Sequence, residues 1–532
     1  MKVRKSDIII LSLYLAIFII ALKNYLISPP YIMGDTAVFP IYNSPQISPQ
    51  YTIINLLYFI LGENNTIKVL NFLAFLLGPF SIYFILRDDE NIIKRTVLPI
   101  IYTLNPLSVS IFFSGNGEDI LFIYSLQPIV FYLTYKLLEN KSLKYFALLS
   151  IVEVIGQIAF FQMFLFSFFF QLPVILIGLR NKKYSFVIYP ILADMLGFLS
   201  ELSQEIYIYL NIVPNVLVSP SNTLANLGLF YYSTIISLLL IALSVTTFSV
   251  YKNIKSLTII SSIAFLLLIY SYTQLFHFYI PIVGALLAAI TTFQTKVFLL
   301  SFGLLTLSLV YVKKNRELIP PLIFLILIVL LPNTGGLSVN TYSLFFVKPA
   351  TIPSWYFSLY DYLSHTDPYN LYSVTTSYSR CISSLPGFMG FLSNYTSFSP
   401  LYGIKYIVSS KSLNLSSLRL VNKYGPIYLY YNTNYTGLVH YLNGTPINNY
   451  MISYILIKIF DNINNPVVIS IPYSKYWTNS LNYSNLLELS TNTSYNTLML
   501  LVNRLYYISL VFFILPFALL LLSFEGKSLI KR

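Results

Sequence analysis

The sequence predicts a polytopic α-helical membrane protein, with about 12 transmembrane helices and an extracytoplasmic domain that is mixed and mostly β. Three observations predict it. Only 10% of the 532 residues are charged, 56% are hydrophobic, and the mean hydropathy is +0.70. A soluble domain covers itself with about 25% charged residues, so most of this surface must meet something other than water. Apolar runs approaching membrane length recur along the chain. The basic residues stand in pairs and triplets between those runs, as they do in cytoplasmic loops.

The N-terminus reads Lys2, Arg4, Lys5 and then an apolar run from Ile8 to about Ile27. A secretory signal has an apolar region of about 7–15 residues and a small-residue cleavage site. This run is longer and lacks such a site, so it reads as an uncleaved first span. Further spans are expected at 67–86, 93–113, 120–138, 145–161, 162–179, 184–200, 227–250, 256–275, 296–312, 317–332 and 503–523. The stretch 145–179 reads as one long helix or as two short ones meeting near Phe160–Gln162, and charge decides for two. With that division, 20 of the 32 basic residues fall in cytoplasmic segments, and outside 333–504 only Lys23, Lys68 and Lys296 do not. A single span there would reverse every later loop.

The expected organisation is therefore a helical domain over 1–332, with outer loops at 28–66 and 114–119. An extracytoplasmic domain follows over 333–502, and a final helix and tail occupy 503–532. Both termini are expected in the cytoplasm of a multi-pass plasma-membrane protein. The net charge of +13 does not point to nucleic acid, because the basic residues are not gathered on one face or tail. The single Cys381 excludes an intrachain disulfide and a cysteine zinc site.

The segment 333–502 is rich in Asn, Ser, Thr and Tyr. It contains short β-like runs at Tyr406–Val408, Ile427–Tyr431, Ser453–Phe460 and Val467–Ile471, separated by turn residues such as Asn443-Gly444. Six Asn-x-Ser/Thr triplets begin at Asn394, Asn414, Asn434, Asn443, Asn482 and Asn492, possible glycosylation sites on an outer domain. An Asn- and Ser-rich composition also yields such triplets by chance.

Acidic residues are scarce, so their positions carry information. The first outer loop contains Gly34-Asp35-Thr36, in which Asp35 is a candidate general base for a hydroxyl at the lipid–water boundary. Asp and Thr also fill turns and cap helices by bonding nearby backbone N–H groups. The second outer loop reads Gly115-Asn116-Gly117-Glu118-Asp119. Adjacent carboxylates on a glycine-rich turn can hold a hard cation, or can be the solvated acidic start of a helix. Glu153 and Asp194 are the two acids expected inside spans. Lys296 and His277 stand near the expected outer face, where a snorkelling lysine or an interfacial histidine is equally at home.

These residues resemble the GT-C-type membrane glycosyltransferases, in particular the prokaryotic arabinofuranosyltransferase-like branch and the membrane proteins of teichoic-acid glycosylation. Gly34-Asp35-Thr36 with Phe39-Pro40 is similar to that branch's first-loop motif, which carries its catalytic aspartate. Phe293-Gln294-Thr295-Lys296-Val297-Phe298 is similar to a Phe-Arg-x-x-x-Phe element, with Gln294 where arginine is usual. Gly403-Ile404-Lys405-Tyr406-Ile407-Val408 and the Tyr473–Trp477 stretch resemble elements of the teichoic-acid-related group.

The resemblance implies a GT-C-like fold and an inverting glycosyltransferase, taking sugar from a polyprenyl-phosphate-linked donor to an extracytoplasmic glycan, glycolipid or protein acceptor. Asp35 would be catalytic. A divalent cation, Mg²⁺ or Mn²⁺, held by Glu118 or Asp119, or else a basic side chain, would stabilise the departing phosphate, and Lys296 or His277 would contact the donor phosphate. No nucleotide or redox cofactor is indicated, and no Walker A sequence or Trp-Trp-Asp-Tyr-Gly motif is present. Two other readings stand beside this one. The chain could be a transporter or flippase of lipid-linked or polar solutes, which a path flanked by Glu153 and Asp194 would favour. It could also be a non-enzymatic surface-assembly protein.

Overall fold

The computed structural model describes residues 5–27, 31–33, 36–37, 49–105, 108, 112, 120–157, 161–203, 262–264, 294–310, 312, 319–320, 322–323, 350–365, 370–374, 382, 385, 388–391, 403–452, 456–460, 465–472, 480–483, 486–489, 497–499 and 502–529. The chain divides into two units. One comprises 1–38, 48–349 and 508–532, and the other 39–47 and 350–507.

The first unit opens with α1 (Lys5–Ile27), followed by two short antiparallel strands, β1 (Tyr31–Met33) and β2 (Thr36–Ala37). Then come α2 (Pro49–Leu61), α3 (Glu63–Leu86), α4 (Ile92–Thr103), α5 (Phe122–Asn140), α6 (Leu143–Gly156), α7 (Phe161–Arg180), α8 (Ile188–Ser200) and α9 (Gln294–Val310). α3 and α5 pack along each other at the centre of the core. Gly78 on α3 makes this contact close, because a Cβ there would stand 3.2 Å from Ser125 Oγ of α5, and 2.1 Å from Thr103 Oγ1 of α4. Tyr102 and Tyr124 stack at 4.3 Å, and each hydroxyl donates to the other residue's carbonyl, at 2.7 and 3.1 Å.

Local signals set the helix ends. The Asn91 side chain accepts from the Ile93 and Lys94 N–H groups and starts α4. That helix stops after Thr103, where Asn105 donates to the Tyr102 carbonyl at 2.7 Å and to Ser108 at 2.9 Å. The basic residues beyond α3 do more than mark a loop. Asp7 accepts from Arg95 at 2.7 Å and from Tyr83 at 2.6 Å, and Arg87 lies 3.7 Å from it. Tyr14 donates to the Arg95 carbonyl. Lys94 pairs with Asp89 at 2.7 Å and donates to the Val310 carbonyl at 3.1 Å, at the C-terminal end of α9.

The second unit runs through β3 (Ala350–Thr351), α10 (Ser354–Ser364) and β4 (Asn370–Ser373) to β5 (Phe388–Phe391), β6 (Ile404–Ser409), β7 (Leu418–Tyr424) and β8 (Ile427–Asn432). These last five strands form one sheet in the order β5-β4-β6-β8-β7, with β4 parallel to both neighbours and the rest antiparallel. The β7–β8 turn needs Gly425, which has φ of 54° and lies against the Trp355 ring. Two smaller antiparallel sheets follow. β9 (Val439–Tyr441), β12 (Val467–Pro472), β13 (Ser480–Tyr483) and β14 (Leu486–Leu489) make one. β10 (Tyr450–Ile452), β11 (Leu456–Ile459) and β15 (Thr497–Met499) make the other. The last helix, α11 (Val502–Leu529), belongs to the first unit from Ile508 onward.

This architecture overturns the expected one of about 12 transmembrane helices in a GT-C-like arrangement. Among the described residues, two helical segments are long and apolar enough to cross a membrane, Asn65–Leu86 in α3 and Leu505–Phe524 in α11. The second unit contains a small mixed-sheet region and two smaller antiparallel sheets. The physical reason is that hydropathy reports how apolar a run is, without showing how long its helix runs or what covers it. α4, α6 and α8 have 12, 14 and 13 residues, roughly 20 Å each at 1.5 Å per residue, short of a hydrocarbon core of about 30 Å. In α9 the run Leu299–Val310 is buried throughout, so protein accounts for its apolarity. The expected spans 227–250 and 256–275 lie outside the described residues except for 262–264, and 317–332 is described only at 319–320 and 322–323.

Candidate functional site

β1 begins four residues after α1 ends, and its register with β2 pairs Ile32 with Ala37 and Met33 with Thr36. Gly34 and Asp35 are the two residues between these strands in sequence, and they lie outside the described residues. What precedes them is firmly held. Lys68, near the start of α3, is buried and donates from Nζ to the Leu26 carbonyl at 3.2 Å. It thereby satisfies one of the carbonyls that the end of α1 leaves open, with a positive charge at the negative end of the helix dipole. Asn71, also on α3, donates to the Tyr25 hydroxyl at 2.6 Å. Tyr25 and Phe75 each meet Phe112 edge to face at 5.0 Å. Polar bonds and aromatic packing thus fix the end of α1 and the point from which the first loop departs.

The other expected site residues fall as follows. Glu118, Asp119 and His277 lie outside the described residues. Lys296 is the third residue of α9, and its side chain lies outside them too. The described residues therefore include no contact joining Asp35 to Glu118, Asp119 or Lys296. Of the glycosylation triplets, Asn414, Asn434 and Asn443 are exposed. Asn443 sits in a turn and accepts from the Thr445 N–H at 3.0 Å. Asn482 is in β13, and Asn394 and Asn492 lie outside the described residues. Gly403, which opens the Gly403–Val408 motif, has φ of 58°, and a Cβ there would stand 2.7 Å from Ser470 Cβ. That motif is β6 with the turn that feeds it, so its glycine answers a backbone requirement.

The structure does bring Glu153 and Asp194 together. Gln171 Nε2 donates to Asp194 Oδ1 at 2.7 Å and to Glu153 Oε1 at 3.3 Å, and Ser167 donates to Glu153 Oε2 at 2.9 Å. Glu153 is 0% exposed and Asp194 3%. Sequence reading marks both acids as unusual because they interrupt apolar runs. It misses Ser167, Gln171 and Gln157 beside them, for which the one signal is a four-residue spacing of polar residues on otherwise apolar helices. Among the described residues, no group of three or more His, Cys, Asp or Glu side chains could hold a metal ion.

Comparison with known proteins adds no relative: no protein-family profile, no curated protein and no solved structure matches the chain.

Proposed function

We propose that this protein is a membrane-bound glycosyltransferase that takes a sugar from a polyprenyl-phosphate-linked donor to an acceptor outside the cytoplasm. One juxtaposition carries the reading. Asp35 follows, within eight residues, a helix whose outward face is apolar, for Ile8, Ile9, Leu13, Ile19, Ile20 and Ile27 of α1 are all exposed. Water disfavours such a face at roughly 25 cal/mol per Å² of apolar surface, and lipid does not. α11 shares the property: only 11% of its apolar window is buried, with Val511, Ile514 and Leu521 exposed. A core helix of a soluble protein is buried, and this one is not. A lipid-linked donor is met in that apolar medium, and a carboxylate next in sequence to it is suited to the acceptor's hydroxyl.

In this mechanism Asp35 removes the proton from the acceptor hydroxyl as its oxygen attacks the anomeric carbon. The bond from that carbon to the polyprenyl phosphate oxygen breaks on the opposite face, so configuration inverts and the phosphate leaves with the bonding electrons. Glu118 and Asp119 are the residues proposed to hold a divalent cation, which would neutralise the departing phosphate. Lys296 is the proposed cationic contact to the same group.

The test uses the full chain, reconstituted in vesicles with synthetic polyprenyl-phosphate sugars in one arm and nucleotide sugars in the other. The expected result is release of polyprenyl phosphate with transfer from the lipid-linked donors alone. Transfer from nucleotide sugars alone would contradict the reading. The transporter reading draws support from a different observation, the convergence of Glu153 and Asp194 inside the helical unit. Uptake of a solute into the same vesicles without bond cleavage would favour it.

A further inference from the structure

Three helices each give two residues of matched spacing to one buried spot. α6 supplies Glu153, with Gln157 just past its end; α7 supplies Ser167 and Gln171; α8 supplies Asp194 and Gly197. Residues three or four apart share a helix face, so each helix turns one such face toward the others. Gly197 makes the approach possible: a Cβ there would stand 3.0 Å from Glu153 Cβ and 3.2 Å from Gln157 Nε2.

The spot is oxygen-rich and under-satisfied. Glu153 and Asp194 receive the Ser167 and Gln171 bonds described above, and the Gln171 amide bridges the two carboxyls. No Lys, Arg or His among the described residues pairs with either. Gln157 is 0% exposed, and neither its Oε1 nor its Nε2 has a hydrogen-bond partner. From α2, Gln50 reaches the same seam and donates to the Val154 carbonyl at 3.0 Å and to Ser200 at 2.7 Å, while its own Oε1 has no partner. The next acid along the chain, Glu201, is buried immediately after α8. Two ionised carboxyls this close, out of water and without a counter-charge, are electrostatically untenable. An unpartnered buried amide carries a further desolvation cost.

We propose that Glu153, Asp194 and Gln157 form a binding site for one exchangeable monovalent cation, held by carboxyl and amide oxygens between α6, α7 and α8. A proton shared between the two carboxyls supplies the required positive charge, and a sodium ion among the same oxygens supplies it equally. The proposal is independent of the sugar-transfer reading.

The test treats the full chain, in lipid vesicles, with a hydrophobic carbodiimide, which modifies a carboxyl that is protonated and in an apolar setting, and maps the product by peptide mass spectrometry. The expected result is one label per chain, on Glu153 or Asp194, that declines as pH is raised from about 5 to about 9. A second arm adds sodium chloride at constant pH, with choline chloride as control. Protection by sodium identifies a metal cation as the competing occupant, and equal labelling in both salts identifies the proton. The Glu153→Gln/Asp194→Asn double variant should lose the label. Absence of labelling across the whole pH range, or labelling indifferent to both pH and sodium, would overturn the proposal, because the pair would then be a fixed structural contact. Mapping on the unaltered chain keeps the test decisive even if the variant fails to fold.

Discussion

His440 shows how much one side chain can be asked to bear. It lies in β9, opposite Val468 of β12, is 1% exposed, and neither ring nitrogen has a hydrogen-bond partner. Burial holds the imidazole below its ordinary value of 6.5, because charging it without water or a partner is costly. The sign follows from proton binding. Below about pH 6.5 the unfolded chain takes up a proton that the folded chain resists. The stability that the neutral ring permits is therefore complete above that pH, and it falls as pH drops toward the lower folded value. Thermal unfolding of the full chain, followed at the β-sheet signal, should show a midpoint lower at pH 5.5 than at pH 7.5. His440→Leu should remove most of that difference and leave the pH 7.5 midpoint unchanged or higher, since it also deletes an unpartnered polar group. An unchanged slope in the variant would assign the pH effect elsewhere.

At the scale of elements, the join between α1, α3 and α4 depends on Asp7, which gathers Arg95, Tyr83 and Arg87. Asp7 and Arg95 side chains are 4% and 8% exposed. Removing one member of a buried pair leaves the other uncompensated and costs about 3–5 kcal/mol. Asp7→Asn keeps the shape and loses the charge, so a large fall in detergent-resistant thermal stability is expected. A change under about 0.5 kcal/mol would mean that the ring of partners is solvated. Elements also show what a sequence discloses and what it does not. The runs 406–408, 427–431 and 467–471 are legible, and they lie in β6, β8 and β12, because alternating β-branched and aromatic residues end at Gly and Asn turns. The parallel placing of β4 beside β6 is not legible, since it depends on pairing across more than 30 residues. Helix length is hidden from hydropathy as well. The apolar run 93–113 contains Asn105-Pro106, a helix-stopping pair that hydropathy alone passes over; Asn105 folds back on Tyr102 and α4 ends at Thr103. The acid pair is half legible: Glu153 and Asp194 stand out in composition, while their meeting through Gln171 is a product of tertiary packing.

For the whole molecule, two apolar helical segments of membrane length and the exposed apolar faces of α1 and α11 describe a surface suited to lipid rather than water. The expected count of about 12 spans fails because a buried core and an exposed apolar face are equally apolar in composition, and among the described residues only two segments have membrane length. The proposed chemistry makes Asp35, which follows α1 in sequence, the base for sugar transfer. The direct measurement is turnover of a polyprenyl-phosphate-linked sugar by reconstituted full chain, comparing the native sequence with Asp35→Asn at equal amounts of folded protein. A fall of about 100-fold to 10,000-fold in kcat is expected, as removal of a general base produces, with membrane insertion unchanged. Transfer by Asp35→Asn at the native rate would contradict it.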